Sequence, residues 1–327
     1  MQRPDKPERL DRFMARANAA YYANHDPFRD FTTAPEISQV FGEILGLWAA
    51  IVWEQMGQPA PVLLAELGPG RGTLMRDARR AIGQAMPDFA AALRLHLVET
   101  SPRLRAAQAA LLPDATWHDD IATLPPGPMI LLANEFLDAL PIRQFVRRGE
   151  GWTERFVTEG RFTEAAATET PGYVAAEGDV VEVNEPARAI AATLAARLAS
   201  QGGAALFLDY GPARSAPGDS LQALRTARPA DPLADPGAAD LTAHVDFQAF
   251  ADHAVAAQVH GPVQQGPFLA GLGLFQRSGR LARTQDATRA SQMMHAAQRL
   301  AEPDRMGGLF KALALCQPGQ PVPPGFE

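Results

Sequence analysis

Leu63-Leu64-Ala65-Glu66-Leu67-Gly68-Pro69-Gly70-Arg71-Gly72-Thr73-Leu74 is the stretch on which the reading of this chain turns. An apolar run closes on an acid, three glycines follow at alternate positions, and a helical pattern begins. That order reads as strand, tight loop and helix. Glycine lets the backbone approach a ligand closely and take positive φ. A helix start then offers free N–H groups to an anion, next to the carboxylate of Glu66. Such a loop suits a ligand that carries both a carboxylate and ribose hydroxyls.

The alternation continues on both sides. Residues 94–98 read as a strand ending at Glu99, followed by a helix from Pro102 to about Leu111. Residues 115–118 form a short strand ending at Asp119-Asp120, and Met129–Ala133 is an apolar run ending at Asn134-Glu135. This β-α-β order predicts an α/β fold, a parallel sheet with helices on both faces. Ligands then gather at the carboxyl ends of the strands. Upstream, residues 10–24 read as a short helix, Asp26 to Pro35 as loop, and Pro35–Met56 as a broadly apolar helix. Downstream, Ile142–Arg147 and Trp152–Val157 flank a hairpin signal, Arg148-Gly149-Glu150-Gly151. A helix over Pro186–Ser200 and a strand over Ala204–Leu208 return to the main sheet. Residues 212–240 read as irregular, Phe247–Ala257, Pro267–Leu272 and Thr284–Leu300 as helices, and Leu309–Leu315 as a last strand. The expected organisation is a helical cover over 1–60, a sheet domain over 61–141 and 186–327 interrupted by an irregular and helical insertion at 212–308, and a β-rich insertion at 142–185.

Composition narrows the classes. With 327 residues and 46% hydrophobic, the chain can bury the core of one large domain with insertions. A net charge of −7 and scattered arginines disfavour nucleic acid as a partner. The single cysteine, Cys316, excludes an internal disulfide and multi-cysteine zinc sites, and the seven histidines are dispersed, so no metal is expected. No apolar run reaches the length of a membrane span. The N-terminal residues mix Arg3, Lys6, Arg9 and Arg12 with Asp5, Glu8 and Asp11, unlike a signal or transit peptide, so a cytoplasmic location is expected.

The candidate site residues lie at the predicted strand ends. Glu66, Gly68, Gly70 and Gly72 form the loop itself. Glu99 is placed to take two hydrogen bonds from ribose hydroxyls, and Asp119 and Asp120, at the end of the third strand, are further candidates for the ligand. Asn134 precedes Glu135, and if residues 135–138 form a helical turn, Glu135 and Asp138 share one face. Two carboxylates so placed bind a cationic nucleophile and orient its nitrogen. Thr33 and Pro35, at the start of the apolar helix, are candidates for covering the ligand. His244, with Asp246 two residues on, is a candidate for the substrate side.

The glycine spacing departs from the dinucleotide pattern, because Thr73 stands where a third glycine would fall. Glu66-x-Gly68-x-Gly70-x-Gly72 instead resembles the first motif of class I S-adenosylmethionine (SAM)-dependent methyltransferases. The resemblance extends further. Asp30-Phe31-Thr32-Thr33-Ala34-Pro35-Glu36, Val98-Glu99-Thr100-Ser101-Pro102, Asn134-Glu135-Phe136-Leu137-Asp138-Ala139-Leu140-Pro141, Ala239-Asp240-Leu241-Thr242-Ala243-His244-Val245-Asp246-Phe247 and Met306-Gly307-Gly308-Leu309-Phe310-Lys311 resemble, in order, segments of the MidA-like methyltransferases. These are related to the mitochondrial complex I assembly-factor arginine methyltransferase. The resemblance implies a Rossmann-like class I methyltransferase sheet with a β-rich insertion and extra helices, and SAM as cofactor. It implies a protein substrate, an arginine of a complex I core subunit in the mitochondrial relatives. Two departures stand out. Only Arg29 separates Phe28 from Asp30, where the family has a glycine-containing segment. Ala227, Arg228, Pro229 and Ala230 occupy a region where relatives carry histidine and aromatic residues. The expected activity is methyl transfer to protein arginine. The rivals are a small-molecule methyltransferase, which shares the cofactor loop, and a SAM-binding assembly chaperone without turnover.

Overall fold

The structure is a computed structural model that describes residues 6–25 and 32–327. The Asp26–Phe31 segment, with the departure noted around Arg29, lies outside the described residues.

Seven strands form the main sheet: β1 (Val62–Leu67), β2 (Leu93–Val98), β3 (Thr116–His118), β4 (Met129–Asn134), β5 (Gly203–Tyr210), β6 (Gln258–Gln264) and β7 (Phe310–Cys316). Their order is β3-β2-β1-β4-β5-β7-β6, with β1 to β5 paired in parallel and β7 antiparallel to both neighbours. This is the doubly wound 3-2-1-4-5-6 order with one reversed strand slotted between the last two. Side chains alternate between two cores. Leu64, Ile130, Leu132 and Leu206 face one, and Leu63, Ala65, Leu131 and Phe207 face the other.

The helices complete these layers. α1 (Leu10–Asn24) lies over the strand tips, and α2 (Gln39–Gln55) and α3 (Thr73–Ala85) cover the first face. α4 (Pro102–Leu111) follows β2. α5 (Glu185–Gln201) and α6 (Phe247–His253) cover the second face. The apolar helix predicted from Pro35 to Met56 is two helices. Ser38 is extended at φ −152, and its side chain accepts from Val40 N to start α2 afresh. Glu43, buried in α2, takes Arg80 of α3 at 2.7 Å and Arg277 at 2.6 Å, so one carboxylate fastens three helices.

A second sheet carries strands at Arg143–Arg148, Gly151–Thr158, Arg161–Ala166 and Val180–Val183, and Glu8–Arg9 pairs with its second strand. A third holds Gln222–Arg225, Arg228–Ala230 and Asp240–Thr242. Leu10, Phe13 and Met14 of α1 join Ile142, Val157, Ala223 and Leu241 in one cluster, so α1 and both small sheets form one cover. α2 instead belongs to the main core.

Three expectations need correction. Residues 212–240 are not all irregular: Gln222–Arg225 and Arg228–Ala230 form a hairpin. Its turn uses Thr226 and Ala227 at φ 50 and 58, so the usual Asn-Gly signal is missing. The helix expected over Phe247–Ala257 stops at His253, and Gln258–Gln264 is a strand. Pro262 hides that strand in the sequence. It is tolerated because β6 is an edge strand whose register shifts between His260 and Val263. The last long helix begins at Ala287 with Asp286 as its cap, and a separate helix spans Leu274–Ala282. Among the described residues no helix is long and apolar enough to cross a membrane.

The contact between α2 and α3 is a backbone contact. A Cβ at Gly46 would stand 2.6 Å from the Ala78 carbonyl oxygen and 2.7 Å from its Cα. Gly46→Ala gains about 1 kcal/mol of helix propensity but forces two buried helices apart at a cost of ~1–3 kcal/mol. The clash is with backbone, which cannot swing aside, so the variant is expected to be less stable. A urea midpoint equal to or above wild type would contradict this.

Candidate active site

The carboxyl ends of β1, β2 and β4 open into a cavity of about 570 Å³. Gly68 and Gly70 line it at φ 57 and 56, conformations that favour glycine. A Cβ on Gly68 would lie 2.8 Å from the Phe136 ring. Gly72 does not line the cavity. It precedes α3 at φ 84, and a Cβ there would meet Leu112 at 3.2 Å, so it lets the loop pack on the end of α4.

Glu66 and Asn134 close the floor. Glu66 Oε2 and Asn134 Oδ1 are buried with no hydrogen-bond partner. Burial pushes the Glu66 carboxyl up to about 8. Unpaired buried acceptors are costly, and two of them on one cavity wall suit a ligand that brings donors. Glu99 ends β2 beside them. Its Oε1 accepts from Ser101 N at 2.7 Å and its Oε2 from Gln108 Nε2 at 3.3 Å, while burial raises its pKa. Gln108 also donates to Gly70 O at 2.8 Å and accepts from Trp117 Nε1 at 2.8 Å. It therefore couples the glycine loop to Glu99. Nothing in the sequence marks it except a polar residue on the inner face of a helix.

Asp119 and Asp120 lie outside the cavity. The Asp119 side chain is 80% exposed and pairs with Arg105 at 2.7 Å. Asp120 accepts from Ala122 N and caps a 3₁₀ turn. β3 is only three residues long, and the chain leaves the sheet edge there. The wall is made instead by Thr100, Ser101, Pro102 and Leu104, with Asn18 and Tyr22 from α1. Asn18 and Tyr22 escaped the sequence reading. Asn18 donates to Ala139 O at 3.1 Å and to Leu241 O at 2.8 Å, and accepts from Leu241 N at 3.0 Å. The Tyr22 hydroxyl donates to Asp240 at 2.8 Å. A buried Asn on an otherwise apolar helix face is the only signal the sequence carries for this latch.

Thr33 and Pro35 line the opposite rim with Glu36, which accepts from the Thr73 hydroxyl at 2.5 Å. Glu135 lies at the end of the cavity next to them. It stands at φ 50, and its Oε1 accepts from Ala34 N at 3.1 Å and Asn134 Nδ2 at 3.0 Å. Burial pushes its carboxyl up to about 7 against those two bonds and the charge of Arg299. Asp138 is behind the wall, buried, with Oδ1 unpartnered and the Tyr210 hydroxyl donating to the carboxyl. Burial and the Glu135 charge push it up to about 7. His244 is exposed outside the cavity, its ring edge-on to Tyr210 with centroids 5.6 Å apart. Among the described residues no group of three His, Cys, Asp or Glu is arranged to hold a metal.

A sequence family of S-adenosyl-L-methionine-dependent methyltransferases matches residues 44–263, well over half the chain. The chain belongs to this family. It is 36% identical to the mitochondrial protein arginine methyltransferase NDUFAF7 of Xenopus laevis, over 90% of this chain and 77% of that one. The Drosophila melanogaster homolog is 33% identical over 94% and 80%. Among solved structures, a Burkholderia thailandensis protein bound to S-adenosyl-homocysteine is 27% identical, with a TM-score of 0.83 over 98% of this chain and 90% of that one. The methyltransferase cofactor is SAM.

The residues present fit that cofactor. Its α-ammonium brings three donors and a positive charge, which the empty acceptors of Glu66 and Asn134 lack. Its ribose hydroxyls match the remaining lone pairs of Glu99. Its carboxylate suits the backbone at Gly68 and Gly70, where no side chain stands in the way. One consequence is measurable. Glu66, near 8 in the free protein, is mostly protonated at pH 7 and must ionise to pair with the ammonium. SAM binding at pH 7 should therefore release close to one proton, seen by calorimetry in buffers of different ionisation heat. Glu66→Gln should abolish the release and weaken binding by ~10–100-fold, the loss of a charged hydrogen bond. Unchanged proton release in the variant would remove Glu66 from the cofactor site.

Proposed function

We propose that this chain methylates a guanidinium nitrogen of a protein arginine. The observation that carries the reading is the pair of buried carboxyls, Glu135 at the end of the cavity and Asp138 three residues on, behind its wall. Both are pushed up to about 7, and Asp138 has an unfilled oxygen. The relatives in Xenopus and Drosophila, named protein arginine methyltransferases, support the choice of acceptor. A respiratory complex I core subunit is the proposed protein substrate. SAM supplies the activated methyl group when bound. The chain supplies everything else. Glu135 holds the guanidinium at the end of the cavity, away from water, and the charge of Asp138 behind the wall adds to its pull. Held in one orientation, a single nitrogen faces the donor. Guanidinium does not lose a proton in water near neutrality, so the proton leaves only as the new N–C bond forms. Glu135, titrating near 7, is matched to receive it.

The electrostatics set a pH dependence. A cationic acceptor binds the ionised pair. Below 7 a proton occupies that pair and competes with it. Turnover per KM should therefore rise from pH 6 to 8 with an apparent midpoint near 7, a value belonging to the pair. Labelled-methyl transfer into lysate from cells lacking the protein measures it, with peptide mass spectrometry to place the label. Glu135→Gln should keep SAM binding and lose ~10²–10⁴-fold in rate. Label on a small molecule, with none on protein, would favour the small-molecule enzyme. Partner capture by the Glu135→Gln protein with no methyl transfer in wild type would favour the chaperone.

A further inference from the structure

Asp209 is the penultimate residue of β5, 1% exposed and outside the cavity. Its Oδ2 accepts from three consecutive backbone N–H groups: Phe136 at 3.1 Å, Leu137 at 2.9 Å and Asp138 at 3.3 Å. The preceding N–H, that of Glu135, donates to Leu208 O at 2.9 Å. The whole run from 135 to 138 is thus anchored to the end of β5. β4 runs parallel to β5 up to the pair Asn134–Leu208. Beyond that pair the ladder ends, and the Asp209 carboxyl takes over as acceptor.

What this anchor holds is unusual. Glu135 is not glycine, yet it sits at φ 50. A side chain pays sterically for that conformation, which persists only where the surroundings impose it. The imposed turn brings the Glu135 Oε1 to Ala34 N and Asn134 Nδ2 at the cavity. The same turn leaves Asp138 three residues on with an unfilled oxygen. A helix or strand cap needs one such bond. Three on one oxygen, ending on the two carboxyls beside the cavity, is a positioning device.

We propose that Asp209 is a positioning residue for methyl transfer: its carboxyl oxygen clamps the Phe136–Asp138 backbone and thereby sets where Glu135 and Asp138 meet the acceptor. This rests on the assignment of those two carboxyls to the methyl acceptor. Asp209 touches neither the cofactor nor the acceptor. It acts through backbone groups, so an amide oxygen in the same place serves as well as a carboxyl oxygen.

The test compares Asp209→Asn with Asp209→Ala, each in the full chain. The methyl acceptor is whichever protein the wild type labels in lysate. Amide hydrogen exchange at 136–138 is followed in parallel with S-adenosyl-homocysteine bound. Asp209→Asn should keep both kcat and amide protection within ~3-fold. Asp209→Ala should lose protection at 136–138 and ~100-fold in kcat, the scale of a misplaced reacting group. Its KM and its affinity for S-adenosyl-homocysteine should stay within ~3-fold. Adding Glu135→Gln to Asp209→Ala should cost far less than Glu135→Gln alone, because both remove one function. Should Asp209→Ala not fold, Asp209→Ser, which keeps a shorter single acceptor, takes its place under the same readings. Undiminished kcat without the clamp overturns the proposal. So does a parallel loss of kcat and S-adenosyl-homocysteine binding, or full additivity with Glu135→Gln. If the wild type labels no protein, the arginine reading fails. The exchange data then still show whether Asp209 holds the turn.

Discussion

Parallel pairing of β1, β4 and β5 brings three strand ends to one level, and the rest of the molecule is arranged around that level. Leu67 pairs with Ala133, and Leu208 with Asn134, so Glu66, Asn134 and Asp209 emerge close together at one edge of the sheet. Parallel strands need long crossovers, and α3, α4 and α5 lie in those crossovers. What remains open is the carboxyl edge, where backbone donors and acceptors run out. The glycine loop, the Glu135–Asp138 turn and the Asp209 clamp all answer that local shortage of partners.

The edge is also acidic, and its acids are starved of water. Burial pushes Glu66 up to about 8 and Glu135 and Asp138 up to about 7, and it raises Glu99 and Asp209 as well. Taking an unpaired carboxylate out of water costs several kcal/mol or more, so near neutrality Glu66 holds its proton and Glu135 and Asp138 stand at the point of exchanging theirs. Such a site gives little to an anion and much to a cation. Sulfonium, ammonium and guanidinium are all cations, and each can exchange a held proton for its own charge. Desolvation, not any single ion pair, is thus the common cause of these shifts.

α1 and the two small sheets close this edge from above. The contacts that seat them are polar as well as apolar. Asn18 meets the backbone of Ala139 and Leu241, and Tyr22 meets Asp240. Buried bonds of this kind are directional, so they fix one seating of the cover. The cover thereby completes a cavity that the main sheet alone leaves open. The segment around Asp240 to His244 serves this seating. His244 itself stays at the surface against Tyr210, away from the cavity.

The amino-acid order alone determined the parts whose signals are local. Strand, glycine loop and helix around Glu66 follow from hydrophobic period and backbone freedom, and so do the strand ends at Glu99 and Asn134. Turns without their usual residues stayed hidden. Thr226-Ala227 turns a hairpin without Gly or Asn, and Pro262 masks an edge strand. The site divides in the same way. Glu66, Gly68, Gly70, Glu99 and Glu135 stand out by position in a motif. Gln108, Asn18, Tyr22 and Asp209 act only through groups distant in the chain. Asp119 and Asp120 follow a strand whose end is level with that of β2, yet Asp119 pairs with Arg105 at the surface and Asp120 caps a 3₁₀ turn, so neither lines the cavity. Only the tertiary structure decided which acids lose their water, since desolvation depends on what packs above a carboxyl and not on its neighbours along the chain.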